Sequence, residues 1–166
     1  MGLGVQTRNS HHATRTILFK FRTYNFHMYS YNYPRPAVTV DAILIGPQNS
    51  VLLIERGREP FKGKWALPGG FIEMGEELEI ACRRELEEET GLRVGELKQF
   101  RAFGGVNRDP RHRTISVLFY AFTDYELAAC AGDDAANAKW FSFDQLPELA
   151  FDHQLILEEF KAEVLK

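Results

Sequence analysis

Cysteine is scarce in this chain of 166 residues: there are two, Cys82 and Cys130, and they show neither metal-ligand nor disulfide-framework spacing. A fold stapled by disulfides or built on a cysteine zinc site is therefore excluded, and a reducing, cytoplasmic location is expected. No apolar run approaches the length of a membrane span, so no membrane partner is expected. Internal repeats are absent. There is no excess of positive charge: the formal net charge is −3, which implies no general affinity for nucleic acid. Acids are missing altogether from residues 1–33, which carry Arg8, Arg15, Lys20 and Arg22 among seven Phe and Tyr residues. That segment also lacks the continuous apolar core of a secretory signal. Three readings of it stay open: an extra strand or arm, an upstream start with Met28 as the natural first residue, and a basic leader similar to an organelle transit peptide. The expected organisation is an N-terminal extension over 1–33 and one domain over 34–166, long enough to bury a sizeable core.

What the chain has in abundance is carboxylate, concentrated in Gly70 to Leu92, GFIEMGEELEIACRRELEEETGL, with eight glutamates. Leu78, Cys82 and Leu86 recur every fourth residue, which predicts a helix with those three on its buried face. It should begin near Glu76–Glu77 and end at Gly91. Acids at its start suit the helix dipole, whereas Glu87, Glu88 and Glu89 stand at its negative end. Helix stability alone does not favour that placement, and a bound cation would explain it. At ~100° per residue Glu85 and Glu89 lie roughly 40° apart with Glu88 beside them. Three carboxylates at one helix edge suit a hard cation, Mg²⁺ with Mn²⁺ as a substitute, rather than zinc.

Elsewhere the pattern is mainly β. Ala37 to Ile45, Val51 to Glu55, Val94 to Phe103, Thr114 to Phe122 and Lys139 to Phe143 read as strands, the fourth of them central. Gly46 to Asn49 reads as a turn. Leu127 to Ala136 reads as a small-residue loop. Asp152 is placed to cap a last helix carrying Leu155, Ile156, Phe160 and Val164. The fold class expected is mixed α+β, a mixed β-sheet between helices.

The acidic stretch resembles the Nudix box, G-x5-E-x7-R-E-U-x-E-E-x-G-U with U apolar. Gly70, Glu76, Arg84, Glu85, Leu86, Glu88, Glu89, Gly91 and Leu92 all match it. The resemblance implies an α/β/α sandwich and metal-dependent hydrolysis of a nucleoside diphosphate linked to another group. It implies metal ligation by Glu85, Glu88 and Glu89 and by a backbone oxygen of Gly70. Arg84 is expected to orient one of these glutamates. Glu76 is either an outer-shell assistant or a simple helix-start acid. The general base is either a box glutamate, Glu85 or Glu88, or an acid of a later loop, where Asp133 and Asp134 stand; those two also read as a solvated turn.

Three further stretches, YPRPAVTVDAIL (33–44), RDPRHRTIS (108–116) and GDDAANAKWFSFDQLPELAFDHQLIL (132–157), are similar to the ADP-ribose pyrophosphatase branch. In the second, His112 replaces a glycine usual in that branch. ADP-ribose, cleaved to AMP and ribose 5-phosphate, is therefore the expected substrate. Arg108, Arg111 and Arg113 are expected to meet the diphosphate, Arg35 a phosphate or ribose hydroxyl, and Tyr33 or Phe103 the adenine. His112 and His153 read either as substrate contacts or as a surface and a helix-start histidine. Two alternatives remain: a Nudix hydrolase of another nucleotide, such as an oxidised triphosphate, and a non-catalytic ADP-ribose-sensing domain. A homodimer is compatible with all three.

Overall fold

A computed structural model describes residues 30–124, 126 and 135–166. Asp133, Asp134, Cys130 and the segment up to Tyr29 lie outside the described residues. Contacts group Tyr33–Lys166 into one unit.

Strand β1, Ala37–Ile45, is the spine. It pairs in parallel with β6, Thr114–Phe122, over its whole length, from Ala37 opposite Thr114 to Ile45 opposite Phe122. On its other edge the partner changes. Its first half pairs antiparallel with the short β4, Gly69–Phe71, and its last residue, Ile45, meets Val51 of β2, Ser50–Arg56. Beyond β2 lie β3, Trp65–Ala66, and β7, Ala135–Ser142, both antiparallel to it. Strand β5, Lys98–Phe103, is antiparallel to β6. One mixed sheet results, ordered β3-β2-β1-β6-β5, with β4 branching from β1 and β7 from β2.

Both sheet faces are covered, which is why β1 is an almost unbroken apolar run rather than a polar–apolar alternation. Val40, Ala42 and Leu44 enter a core with Ala81, Cys82 and Leu86 of α1, Leu78–Thr90. Ile43 and Ile45 enter a second core with Ile156, Leu157 and Phe160 of α2, His153–Val164. Strand periodicity thus sends alternate side chains to opposite layers, and the α/β/α sandwich follows. Burial holds the Cys82 thiol protonated, pushing it up to about 12.

Helix α1 begins after Glu77 and ends where Gly91 adopts φ 70°, a left-handed turn that glycine takes without strain. Four expectations need correction. Strand β5 starts at Lys98, not Val94: Val94 packs on the first core, and its carbonyl accepts from Arg83 Nη1 at 2.9 Å. Strand β7 starts at Ala135 rather than Lys139, because its pairing with β2 extends back to Arg56. In α2, Leu155 is exposed and Leu157 is buried. Asp152 precedes α2, but its side chain makes no capping bond; it is taken by an arginine described below.

Among the described residues no helix is long and apolar enough to cross a membrane. Among the described residues, the buried core residues all lie between Val40 and Phe160. A protein starting at Met28 should therefore fold cooperatively, with a Tm within about 4 °C of the full chain, the shift from roughly 1 kcal/mol. Calorimetry of the two proteins checks this; a loss of the transition would show that residues 1–27 belong to the core.

Candidate active site

The C-terminal half of α1, the β4 backbone and the start of α2 meet around a cavity of about 300 Å³. Its acids are Asp41, Glu59, Glu85, Glu89 and Asp109, its bases Arg56, Arg58, Arg108 and Arg111, and Phe71 and Phe151 are phenyl rings in its wall.

The acidic side depends on two glycines. An added Cβ on Gly70 would stand 2.6 Å from a Glu85 carboxylate oxygen, and one on Gly69 would stand 2.6 Å from Asp41 Oδ1. Only a residue without a side chain lets β4 pass between β1 and α1 here. The Gly69 N–H donates to Glu89 Oε2 at 2.8 Å. Behind the acids Arg84 spreads its donors: Nε and Nη2 to Glu76, both at 2.9 Å, Nη1 to Glu85 at 2.7 Å and Glu88 at 3.2 Å, and Nη2 to the Phe71 carbonyl at 3.1 Å. A planar fork of fixed donors is what such a hub requires. Glu76 also accepts from the Glu73 N–H at 3.0 Å and stands outside the cavity lining.

Glu88 is not where the helical wheel put it. Its carboxylate is 53% exposed and lines no part of the cavity, so the structure brings together two box carboxylates, not three. Among the described residues no three Asp, Glu, His or Cys side chains are close enough to hold a cation by themselves. The donor set nonetheless fits a hard divalent ion. Burial raises the proton affinity of Glu85, against the Arg84 hydrogen bond, and pushes Glu89 up to about 8, where Glu85 and Asp41 add repulsion. A cation relieves that excess negative charge, and Glu85, Glu89 and the Gly70 backbone are the groups that would hold it.

The sequence reading missed Asp41. It is buried in mid-strand and accepts a hydrogen bond from Ser116 Oγ. Nε2 of buried His153 stands 4.0 Å from Asp41 Oδ1. His153 Nδ1 accepts from the Leu67 N–H at 2.9 Å, so the neutral ring carries its proton on Nε2. Burial lowers its proton affinity, with Asp41 acting in the opposite sense. The signal available was a lone acid inside an otherwise apolar strand.

The basic residues divide. Arg111 lines the cavity and is gripped by Asp109 through Nε at 3.0 Å and Nη2 at 2.7 Å. Arg108 is buried and committed to Asp152, through Nε at 2.9 Å and Nη2 at 2.7 Å; it anchors the start of α2. Arg113 bonds the carbonyls of Gly105 and Thr114 and is not in the cavity lining, so Arg111 and Arg113 do not share one wall. Phe103 is packed in the second core, and Tyr33, 80% exposed, and Arg35 also lie outside the lining. His112 lies tilted against Phe71, its ring centroid 5.6 Å away, while His153 is a cavity residue. Arg56, at the end of β2, is a cavity cation that the sequence reading did not name.

Two stability measurements follow. Glu89 ionises in the unfolded chain near 4.5 but in the folded, metal-free protein only near 8. Its contribution is full below the unfolded value and is lost as pH rises toward 8. Metal-free Glu89→Gln should lack that loss and exceed the wild type above pH 8 by roughly 2–4 kcal/mol; identical pH profiles would contradict the assignment. Arg108→Ala leaves Asp152 half-buried without its partner and should cost roughly 3 kcal/mol, read by urea unfolding.

The NUDIX domain family matches residues 35–163. The chain is 46% identical over 129 residues to an ADP-ribose pyrophosphatase of Methanocaldococcus jannaschii, covering 77% of this chain and 75% of that protein. It is 33% identical to the ADPR responsive transcriptional repressor NtrR of Acinetobacter baylyi, over 77% of this chain but only 54% of the repressor. Among solved structures, the NUDIX domain of Shewanella oneidensis NrtR complexed with ADP ribose superposes with a TM-score of 0.73 at 32% identity, covering 80% of this chain and 90% of that one. With an intact box on an α/β/α sandwich and a family match over most of its length, the chain belongs to the NUDIX domain family.

Proposed function

We propose that this protein is a divalent-metal-dependent pyrophosphohydrolase that cleaves ADP-ribose to AMP and ribose 5-phosphate, with Mg²⁺ as the natural ion and Mn²⁺ as a substitute. The observation that carries the reading is one cavity holding two desolvated box carboxylates, Glu85 and Glu89, together with the guanidinium groups of Arg56 and Arg111. A diphosphate ester resists attack because its own oxygens are negative. It needs positive charge on its phosphoryl oxygens and a water held in line with the leaving oxygen. The likeness to an ADP-ribose pyrophosphatase and to an ADP-ribose-bound NUDIX domain supports the choice of substrate.

In this reading Glu85, Glu89 and the Gly70 backbone hold the ion, which when bound neutralises phosphoryl charge and acidifies water. Arg84 fixes Glu85 through its 2.7 Å bond. Arg56 and Arg111 orient the diphosphate. The water oxygen bonds to one phosphorus, the bond from that phosphorus to the bridging oxygen breaks, and the water's proton passes to a carboxylate. Glu85, which lines the cavity, is the box carboxylate placed for that proton, and Asp134 is the other candidate. A sensing role is the second reading, favoured by the NtrR relative. The intact box, with Glu85 and Glu89 both desolvated in the cavity, supports catalysis over sensing.

Side-by-side assays should give ADP-ribose a higher kcat/KM than 8-oxo-dGTP, NADH or diadenosine polyphosphates, with AMP and ribose 5-phosphate as products. An oxidised triphosphate in first place would overturn the substrate, and no turnover of any of them would favour the sensor. Glu89→Gln should lower kcat/KM by ~10³-fold or more. Glu87→Gln should change it less than about twofold, because Glu87 only pairs with exposed Arg93 at 2.6 Å.

A further inference from the structure

Phe151 has φ 53°. A bulky side chain in the left-handed region is a backbone outlier, and it persists only where the surroundings over-determine it. Here both neighbours are pinned. The Ala150 N–H donates to the Trp65 carbonyl at 2.8 Å, and Asp152 is gripped by Arg108. Phe61 packs edge-on against the ring, with centroids 5.0 Å apart and planes at 70°. In this position Arg56 Cζ lies over the ring at 4.7 Å from its centroid, and Arg111 Cζ at 5.7 Å.

We propose that Phe151 is a positioning residue whose ring holds Arg56 and Arg111 together to grip the substrate's diphosphate; this rests on the reading of the cavity as a diphosphate-hydrolysing site. Two guanidinium groups over one ring repel each other. Burial lowers the proton affinity of Arg56, and Arg111 lowers it further. Arg56 Nε donates to a neutral acceptor, the Pro60 carbonyl, at 2.9 Å, while Arg111 is oriented by Asp109. The ring's negative face offsets part of the repulsion in the free protein, and a diphosphate offsets the rest on binding. The strained backbone places the ring where both cations reach it. Arg56 thus becomes a specificity residue for a dianionic bridge, and Phe151 acts on substrate only through the two arginines.

The test uses the full chain with Phe151→Gly, Phe151→Leu and Phe151→Tyr. Glycine accepts φ 53° without strain, so it separates the ring from the backbone conformation; leucine supplies an apolar side chain without a π face should the glycine variant fail to fold. Kinetics with ADP-ribose and Mg²⁺ and calorimetric Kd for ADP-ribose in EDTA are measured together. The expected result is KM and Kd raised about five- to tenfold in the Gly and Leu variants, kcat within about twofold, and values near wild type for Tyr. Unchanged KM, a fall in kcat alone, or a Tyr variant as impaired as Gly would overturn the proposal. If wild type does not turn over ADP-ribose, the substrate reading fails by itself. The same comparison is then made on whichever nucleoside diphosphate derivative it does hydrolyse, or by Kd for inorganic pyrophosphate if it hydrolyses none.

Discussion

The site depends on the close passage of the β4 backbone between β1 and α1. Gly69 and Gly70 lie so near Asp41 and Glu85 that a single methyl group at either position would meet a carboxylate oxygen at 2.6 Å. Register brings this about: Val40 pairs with Gly70 and Asp41 with Gly69. The Gly69 N–H fastens to Glu89 and the Phe71 carbonyl to Arg84, so the strand is tied to the helix at both ends. The acids are thereby held largely out of water next to a backbone that adds no side-chain bulk. A side chain at Gly70 would press on the Glu85 carboxylate and displace it.

Around that constraint, burial works against charge of both signs. Glu89 resists ionisation because it is desolvated beside Glu85 and Asp41, and Arg56 is pushed toward losing its proton by burial and Arg111. Groups perturbed in opposite senses within one cavity are a mark of sites that await charged ligands. A cation answers the first set and a diphosphate the second, and each also answers the other. Stability is given up to hold these charges, while the one-to-one Arg108–Asp152 pair secures the α2 start and Arg84, shared among Glu76, Glu85 and Glu88, secures the middle of α1.

The fold was legible in the sequence, and so was the placing of Glu85 and Glu89 on one edge of α1, whereas Asp41 and the outward turn of Glu88 were not. Leu78, Cys82, Leu86 and Gly91 carry local periodicity and a local backbone demand, so α1 falls where the pattern puts it. Strands β1 and β6 are apolar because both faces are covered, which also shows as a run of residues. The basic and aromatic half depended on tertiary placement. Arg108 and Arg111 stand three apart in one loop, yet one bonds across to Asp152 at the start of α2 and the other to Asp109 two residues away. Local sequence does not show which partner each takes, nor that Arg113 turns to the carbonyls of Gly105 and Thr114. Phe103 looked like a base platform, but the strand end it occupies faces α2. Arg56, Asp41 and Phe151 each read as ordinary strand or loop residues, and only the closing of β2, β1 and the α2 approach onto one cavity gives them a common surroundings.

The central claim is that Glu85 and Glu89 form the anionic half of a divalent-cation site. Anomalous diffraction from crystals soaked in Mn²⁺ tests it directly. The account predicts a peak about 2.2 Å from carboxylate oxygens of both residues, beside the Gly70 backbone. A single strong peak at another acidic group, such as Glu79 or Glu87, with the Glu85–Glu89 position empty at saturating Mn²⁺, would contradict it.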